Sequence, residues 1–253
     1  MTKHTWVNIA FLLAVVMMLI CSVTWYWWVL MCFFYTAVIF LGSYFIQLNF
    51  FIHSFNKSAL NEKKIALTFD DGPNEATPQL LDFLKQENIP ATFFLIGKNI
   101  AGKEALLQRM LNENHLIGNH SYEHGFWFSM QSPSKVVAEM NACNRQIQAF
   151  TGKRPLFFRP PYGVTNPWVA SGISECKMYS IGWSLRSYDT VSKSPQALAR
   201  SVIKKLKSGD VLLFHDAATH TIQALPEIIA YLRQQQISVV PLNELLQLQP
   251  YDS

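Results

Sequence analysis

Half of the 253 residues are hydrophobic, and the formal net charge is only +4. A balance this close to neutral gives no basic surface that would argue for nucleic acid. The four cysteines, Cys21, Cys32, Cys143 and Cys176, form no CxxC pattern, so neither a zinc knuckle nor a disulfide framework is indicated.

The apolar excess is unevenly placed. Residues 5–56 contain no Lys, Arg, Asp or Glu, whereas 20 of the 21 Lys and Arg and all 17 Asp and Glu follow them. As one helix at about 1.5 Å per residue, the run from Trp6 to Ile52 would reach roughly 70 Å, against a bilayer core about 30 Å thick. Two spans resolve the mismatch, at residues 7–23 and 29–48, joined at the interface by Trp25, Tyr26, Trp27 and Trp28. A signal peptide fits poorly, because its apolar region is shorter and no small-x-small cleavage site precedes the second stretch. The expected organisation is a transmembrane segment over 1–55, a polar linker over 56–62 and one α/β domain over 63–253.

Beyond the linker, strand-like runs alternate with helical patterns. Strands are expected at Ile65–Phe69, Ala91–Ile96, Leu116–Gly118, Leu156–Arg159, Met178–Ser184, Val211–His215 and Ser238–Pro241. Helices are expected at Thr77–Glu87, Lys103–Asn114, Pro133–Phe150, Pro195–Lys207 and Thr221–Gln235. Seven strands in this alternation resemble a barrel more than an open sheet, and in such barrels chemistry sits at the carboxyl ends of the strands. The reactive-looking residues fall there. Asp70 and Asp71 follow the first strand, His120 and His124 the third, Arg159–Gly163 the fourth, Trp183–Asp189 the fifth, and His215 and Asp216 the sixth.

The first of these stretches, ALTFDDGP (66–73), carries two adjacent carboxylates where a turn or cap needs only one. Two suggest a division of labour, one binding a cation and the other moving a proton. NHSYEHG (119–125) adds His120 and His124, four apart, with Glu123 placed so that the zincin pattern does not apply. Two His and one carboxylate leave open positions on a divalent metal, which lowers the pKa of bound water toward about 7. RPPYG (159–163) sets Arg159 beside a rigid turn, where it would fix the base carboxylate and leave the Tyr162 N–H available to an oxyanion; a plain structural turn is the alternative. VLLFHD (211–216) ends a buried strand with His215, a candidate proton donor; a satisfied core histidine is the plainer account.

Together these stretches resemble the polysaccharide deacetylase family, the NodB-like domain of carbohydrate esterase family four. TFDDGP, HSYEH, RPPYG and LLFH resemble its first, second, third and fifth motifs, in order, across residues 63–245. The resemblance implies a distorted (β/α) barrel and a hydrolase that removes an N-acyl group, acetyl first, from an amino sugar of a polysaccharide, peptidoglycan or lipid-linked glycan. It also implies that Asp70 is the base, that Asp71, His120 and His124 hold a metal, and that Arg159 orients Asp70. Tyr162 would contribute to the oxyanion hole, His215 would be the acid and Leu213 would line the acyl pocket. The implied metal is Zn²⁺, with Co²⁺, Ni²⁺ or Mn²⁺ as substitutes.

The fourth motif departs from the family pattern. WSLRSYDT (183–190) has Arg186 at the first Asp of that pattern and Thr190 at its Trp, and keeps only Asp189. The carboxylate that tunes His215 would then be Asp189 or Asp216, and Arg186 either meets an anionic substrate group or sits in a surface ion pair. Two rivals stand beside the deacetylase: a non-haem iron oxygenase, which shares the two-His-one-carboxylate set, and an inactive carbohydrate-binding membrane scaffold. Topology follows from Lys3 before the first span and Lys57, Lys63 and Lys64 after the second, since short basic flanks stay in the cytoplasm. The expectation is a multi-pass bacterial inner-membrane protein with a cytoplasmic catalytic domain and membrane lipid as a partner. A single crossing would instead place the domain outside, beside peptidoglycan or an exported polysaccharide.

Overall fold

The computed structural model describes residues 1–60 and 62–252. Asn61, inside the expected linker, and Ser253, the last residue of the expected catalytic domain, lie outside the described residues.

Two apolar helices open the chain, α1 (Lys3–Ile20) and α2 (Trp25–Tyr44), each long and apolar enough to cross a bilayer. Both lie upstream of the expected spans. The Thr2 hydroxyl caps α1, and α2 starts at Trp25, so the aromatic cluster forms the first turn of α2 instead of the connection. The pair packs Phe11 on Tyr35, ring centroids 4.1 Å apart, and the Tyr35 hydroxyl donates to Asn8 at 3.0 Å. After Tyr44 the chain leaves the helix, and Ile46, Phe50 and Phe51 are buried. Gly42 makes room for Phe50, whose ring a Cβ would strike. The Lys3 ammonium donates to the Leu48 carbonyl at 2.8 Å and the His4 N–H to the Phe50 carbonyl at 3.1 Å.

β1 (Ser54–Phe55) then joins the sheet beside β6 (Tyr179–Ile181), upstream of the expected linker. The other strands are β2 (Lys64–Gly72), β3 (Thr92–Leu95), β4 (Leu116–Asn119), β5 (Phe157–Phe158), β7 (Leu185–Arg186), β8 (Val211–His215) and β9 (Ser238–Val239). All pairings are parallel, in the order β1-β6-β5-β4-β3-β2-β8-β7, with β9 on the first residues of β2. The sheet curls as a barrel does but stays open between β1 and β7. Where one strand was expected over Met178–Ser184, β6 and β7 are separated at Gly182, against which Asn56 packs too closely for a Cβ.

Helices α3 (Thr77–Glu87), α4 (Glu104–Asn112), α5 (Pro133–Thr151), α7 (Pro195–Lys205) and α8 (Thr219–Gln234) correspond to the five expected ones. Two were not expected, α6 (Pro167–Glu175) and α9 (Leu242–Leu246). Asn166 starts α6 by accepting the Val169 N–H at 2.9 Å, a cap that the surrounding Pro, Gly and Ser residues disguise as loop. Outside the sheet, the stacked rings of Phe69, Phe93 and Phe214 meet Leu80, Leu84, Leu198, Leu225 and Ile228. Inside the curl, Phe94, Phe157, Ile181, Trp183 and Leu213 form a second core. Each buried side chain of this size contributes about 1.5–3 kcal/mol. Because all the strands run one way, their carboxyl ends share one rim.

Candidate active site

Successive side chains of a regular strand point to opposite faces, which would separate Asp70 from Asp71. Here Asp71 has φ +76°, and the pairing of β2 with β3 slips between Asp70 and Gly72. This bulge turns both carboxylates toward one centre. His120 Nε2 lies 3.7 Å from Asp70 Oδ2 and 3.6 Å from Asp71 Oδ1, and His124 Nε2 lies 3.6 Å from the same Asp71 oxygen. Ser121, His124 and Tyr162 also hold positive φ. Such conformations cost of order 1–3 kcal/mol each and persist where surrounding contacts impose them.

Those contacts are visible for the histidine loop. Asn119, at the end of β4, accepts the Ser121 N–H at 2.7 Å, and the Ser121 hydroxyl accepts the His124 N–H at 3.0 Å. From α5, Glu139 accepts the N–H groups of Tyr122 and Glu123 at 3.1 and 2.8 Å. The four-residue spacing therefore works through a loop. His120 Nδ1 donates to the Arg159 carbonyl at 2.7 Å, which leaves Nε2 as a free lone pair facing Asp71. Burial, followed by the neighbouring His124, lowers the His120 pKa to about 3 and keeps it neutral, as a ligand must be.

These three donors fit a divalent cation. Asp71 Oδ1 is buried with no hydrogen-bond partner, while both imidazole nitrogens aim at it.

Asp70 sits on the other side of His120. Its Oδ1 accepts from Arg159 at 2.8 Å, and Arg159 is itself fully buried, donating to Thr68 and to the Gly182 carbonyl at 2.8 Å each. The guanidinium lies 4.1 Å from the Phe94 ring centroid. Burial pushes the Asp70 carboxyl above its ordinary value, against the opposing charge of Arg159. Across the pocket, His215 Nδ1 donates to Asp189 at 2.8 Å. The second oxygen of Asp189 accepts the His215 backbone N–H at 2.6 Å and the Thr221 hydroxyl at 2.7 Å. Burial of the ring opposes its charge, but the Asp189 hydrogen bond and charge outweigh it and hold His215 above its ordinary value. Asp189 is thus the partner of His215. Asp216 instead bonds Asn74 and Thr77, and burial pushes it up to about 7.

The pocket between these groups measures about 220 Å³ and includes Leu213, Tyr162, Trp183 and Arg186 in its wall. Pockets for drug-sized ligands run about 300–1,000 Å³, so this one is smaller than such a ligand needs. The hydrogen bonds of the turn at Pro161–Gly163 come from the Gly163 and Val164 amides and not from that of Tyr162. Gly163, at φ +71°, lies against the Trp183 indole where a Cβ would collide. All nine residues singled out from the sequence converge on this rim. Glu139 was missed, because a carboxylate on a helix far along the chain carries no local sign of the loop it holds. Trp183 was placed on the rim without its role as pocket wall.

The profile of the polysaccharide deacetylase family matches residues 57–181. A peptidoglycan-N-acetylglucosamine deacetylase of Bacillus cereus is 36% identical over 192 residues, covering 74% of this chain and 89% of that protein. The peptidoglycan-N-acetylglucosamine deacetylase PgdA of Listeria monocytogenes is 34% identical over 188 residues, and the match spans 74% of this chain but 40% of that longer protein. The crystal structure of the Bc1960 peptidoglycan N-acetylglucosamine deacetylase superposes with a TM-score of 0.74 at 30% identity, over 78% of this chain and 94% of that one. The chain therefore belongs to the polysaccharide deacetylase family, hydrolases that cleave the amide bonds of amino sugars.

Proposed function

We propose that this protein is a metal-dependent N-deacetylase acting on an amino sugar, N-acetylglucosamine or N-acetylmuramic acid, of a glycan at a membrane surface, with α1 and α2 as transmembrane anchor. The observation that carries the reading is a base and an acid facing each other across one pocket, each already paired: Asp70 with Arg159, and His215 with Asp189.

Asp71, His120 and His124 would hold a divalent ion, Zn²⁺ first, which acidifies water and polarises the amide carbonyl. Asp70 takes the proton of the attacking water, and Arg159 keeps that carboxylate in place. The N–H of Tyr162 donates to the carbonyl oxygen as negative charge develops on it. Leu213 receives the acyl methyl at the pocket floor. His215, held as imidazolium by Asp189, gives its proton to the departing nitrogen, so that the amine leaves neutral and the acid product is released. The basic flanks at Lys3, Lys57, Lys63 and Lys64 support a cytoplasmic catalytic domain.

The test is acetate release from an N-acetylglucosamine trisaccharide by the full chain in detergent, with and without a chelator. Activity should fall at least about a hundredfold on chelation and return with Zn²⁺. Asp70→Asn should retain metal and lose at least about a hundredfold in kcat, within the usual range for a proton-transfer group. Undiminished turnover by Asp70→Asn, with metal bound, would overturn the role of the base.

A further inference from the structure

We propose that the amino sugar is carried on a phosphate-bearing membrane lipid, and that Arg186 and Lys205 bind its phosphate in a groove running from the catalytic pocket to the end of α2. The proposal rests on the deacetylase reading above and adds the carrier.

The groove has a volume of about 340 Å³ and shares Tyr162, Trp183 and Arg186 with the catalytic pocket. At its other end stand Tyr44 and Phe45, where α2 finishes. Its lining contains two cations, Arg186 and Lys205, and no carboxylate. Neither cation forms an ion pair among the described residues. Arg186 Nε is moreover buried without a hydrogen-bond partner, an arrangement that costs free energy until an acceptor arrives. The Tyr188 ring lies 5.3 Å from the Arg186 guanidinium and 5.8 Å from the Lys205 ammonium, so one aromatic side chain of the groove wall contacts both cations. Two like charges brought together against an acid-free wall are stabilised by an anion between them. A planar guanidinium and a point ammonium match the oxygens of a phosphate ester.

The carrier follows from where the groove opens. The Ser43 hydroxyl and carbonyl, one residue before the end of α2, pair with the Thr165 carbonyl and N–H at 2.7 and 3.0 Å. The next residue, Asn166, bonds the Ser129 carbonyl, and Phe126 packs on Tyr162 with centroids 6.0 Å apart. Phe126, Trp127, Met130 and Trp168 are left 71%, 64%, 65% and 47% exposed on this face. Exposed aromatics around the end of an apolar helix belong at the headgroup level of a bilayer. That is the depth at which a lipid phosphate lies, and the groove leads from it to the reacting centre.

The full chain in phosphatidylcholine nanodiscs, loaded with metal, decides the matter with three probes: a polyprenyl diphosphate bearing N-acetylglucosamine, soluble N-acetylglucosamine 1-phosphate, and the neutral trisaccharide. The lipid-linked probe should show the highest kcat/KM, by about tenfold or more, and Arg186→Ala and Lys205→Ala should each raise its KM about tenfold, the scale of one lost charge-assisted contact. Their KM increase on the trisaccharide should be several-fold smaller, and Arg186→Lys should recover part of the loss. Equal losses on all three probes would overturn the phosphate site. Equal kcat/KM for the 1-phosphate and the lipid-linked probe would overturn the lipid carrier. Quenching of tryptophan fluorescence by the lipid-linked probe in Asp70→Asn protein reads binding without turnover. A Kd there that Arg186→Ala leaves unchanged would sink the proposal, whereas a raised Kd with no turnover of any probe by the parent chain would support the site and refute the deacetylase.

Discussion

His215 and Asp189 show how much a single hydrogen bond can set. Burial alone would discharge the imidazole; Asp189 keeps it protonated, and Asp189 is in turn held ionised, its own burial being outweighed by the hydrogen bond and charge of His215. The stabilisation from the raised histidine is complete below its ordinary value of 6.5 and is lost as pH rises through its higher folded value. That from the depressed aspartate is present above 3.8 and is lost as pH falls through its lower folded value. The acid function follows the histidine, so kcat/KM should decline on the alkaline side as His215 deprotonates. Asp189→Asn removes the charge and leaves burial in control, which should move that alkaline limb down by about one pH unit or more. An unmoved limb in a pH profile of kcat/KM would show that another group titrates there. The identity of this partner was half legible: WSLRSYDT offered Asp189, VLLFHD offered Asp216, and only the fold separates the residue that faces His215 from the one that faces Asn74 and Thr77.

At the level of elements, the long strands and helices were written in apolar periodicity, and the motifs at strand ends were legible for the same reason: each follows a buried run. β1 and β7 were not, because Ser54–Phe55 and Leu185–Arg186 stand in no apolar run of their own beyond the N-terminal block, whereas the equally short β5 and β9 do. The bulge in β2 was equally hidden. The adjacent carboxylates posed the question of why they stand together, but the slip in register that turns them the same way arises from pairing with β3. The loop from β4 to α5 depends on such distant support. Glu139 holds two of its amides, so Glu139→Ala should free the His124 end of the donor set while leaving Asp71 and His120 in place. Supporting residues of this kind typically change metal affinity by about 10–100-fold. Titration with Zn²⁺ against a competing chelator measures it, and an unchanged affinity would show that the loop is held by Asn119 and Ser121 alone.

For the whole molecule, the proposed transmembrane anchor makes a prediction about sidedness. With α1 and α2 spanning as proposed, an antiparallel pair would place both basic flanks on one side, and Lys3, Lys57, Lys63 and Lys64 would favour the cytoplasm. An alkaline phosphatase fused after Ser253 should be inactive and a fluorescent protein there bright. The reverse pair of signals would put the domain outside, beside finished wall polymer, and leave the chemistry of the pocket as described.

The hairpin is bolted to the catalytic domain. Ser43 is tied to Thr165 and Gln47 to the Trp183 carbonyl at 3.1 Å, while Lys3 and His4 fasten the start of α1 to Leu48 and Phe50 in the segment that leads into β1. A flexible tether of n residues lets an anchored domain roam about 5–6 Å × √n. This one has no such radius to explore, and with α1 and α2 as the proposed anchor its mouth would stay at one height above the lipid. Encounter with the proposed lipid-linked substrate would then be two-dimensional, governed by its mole fraction among neighbouring lipids and not by its concentration in bulk solution. Spreading a fixed amount of lipid-linked substrate through more inert phospholipid should slow turnover in proportion, at unchanged total concentration, as it would for an enzyme that never leaves the surface on which its substrate diffuses.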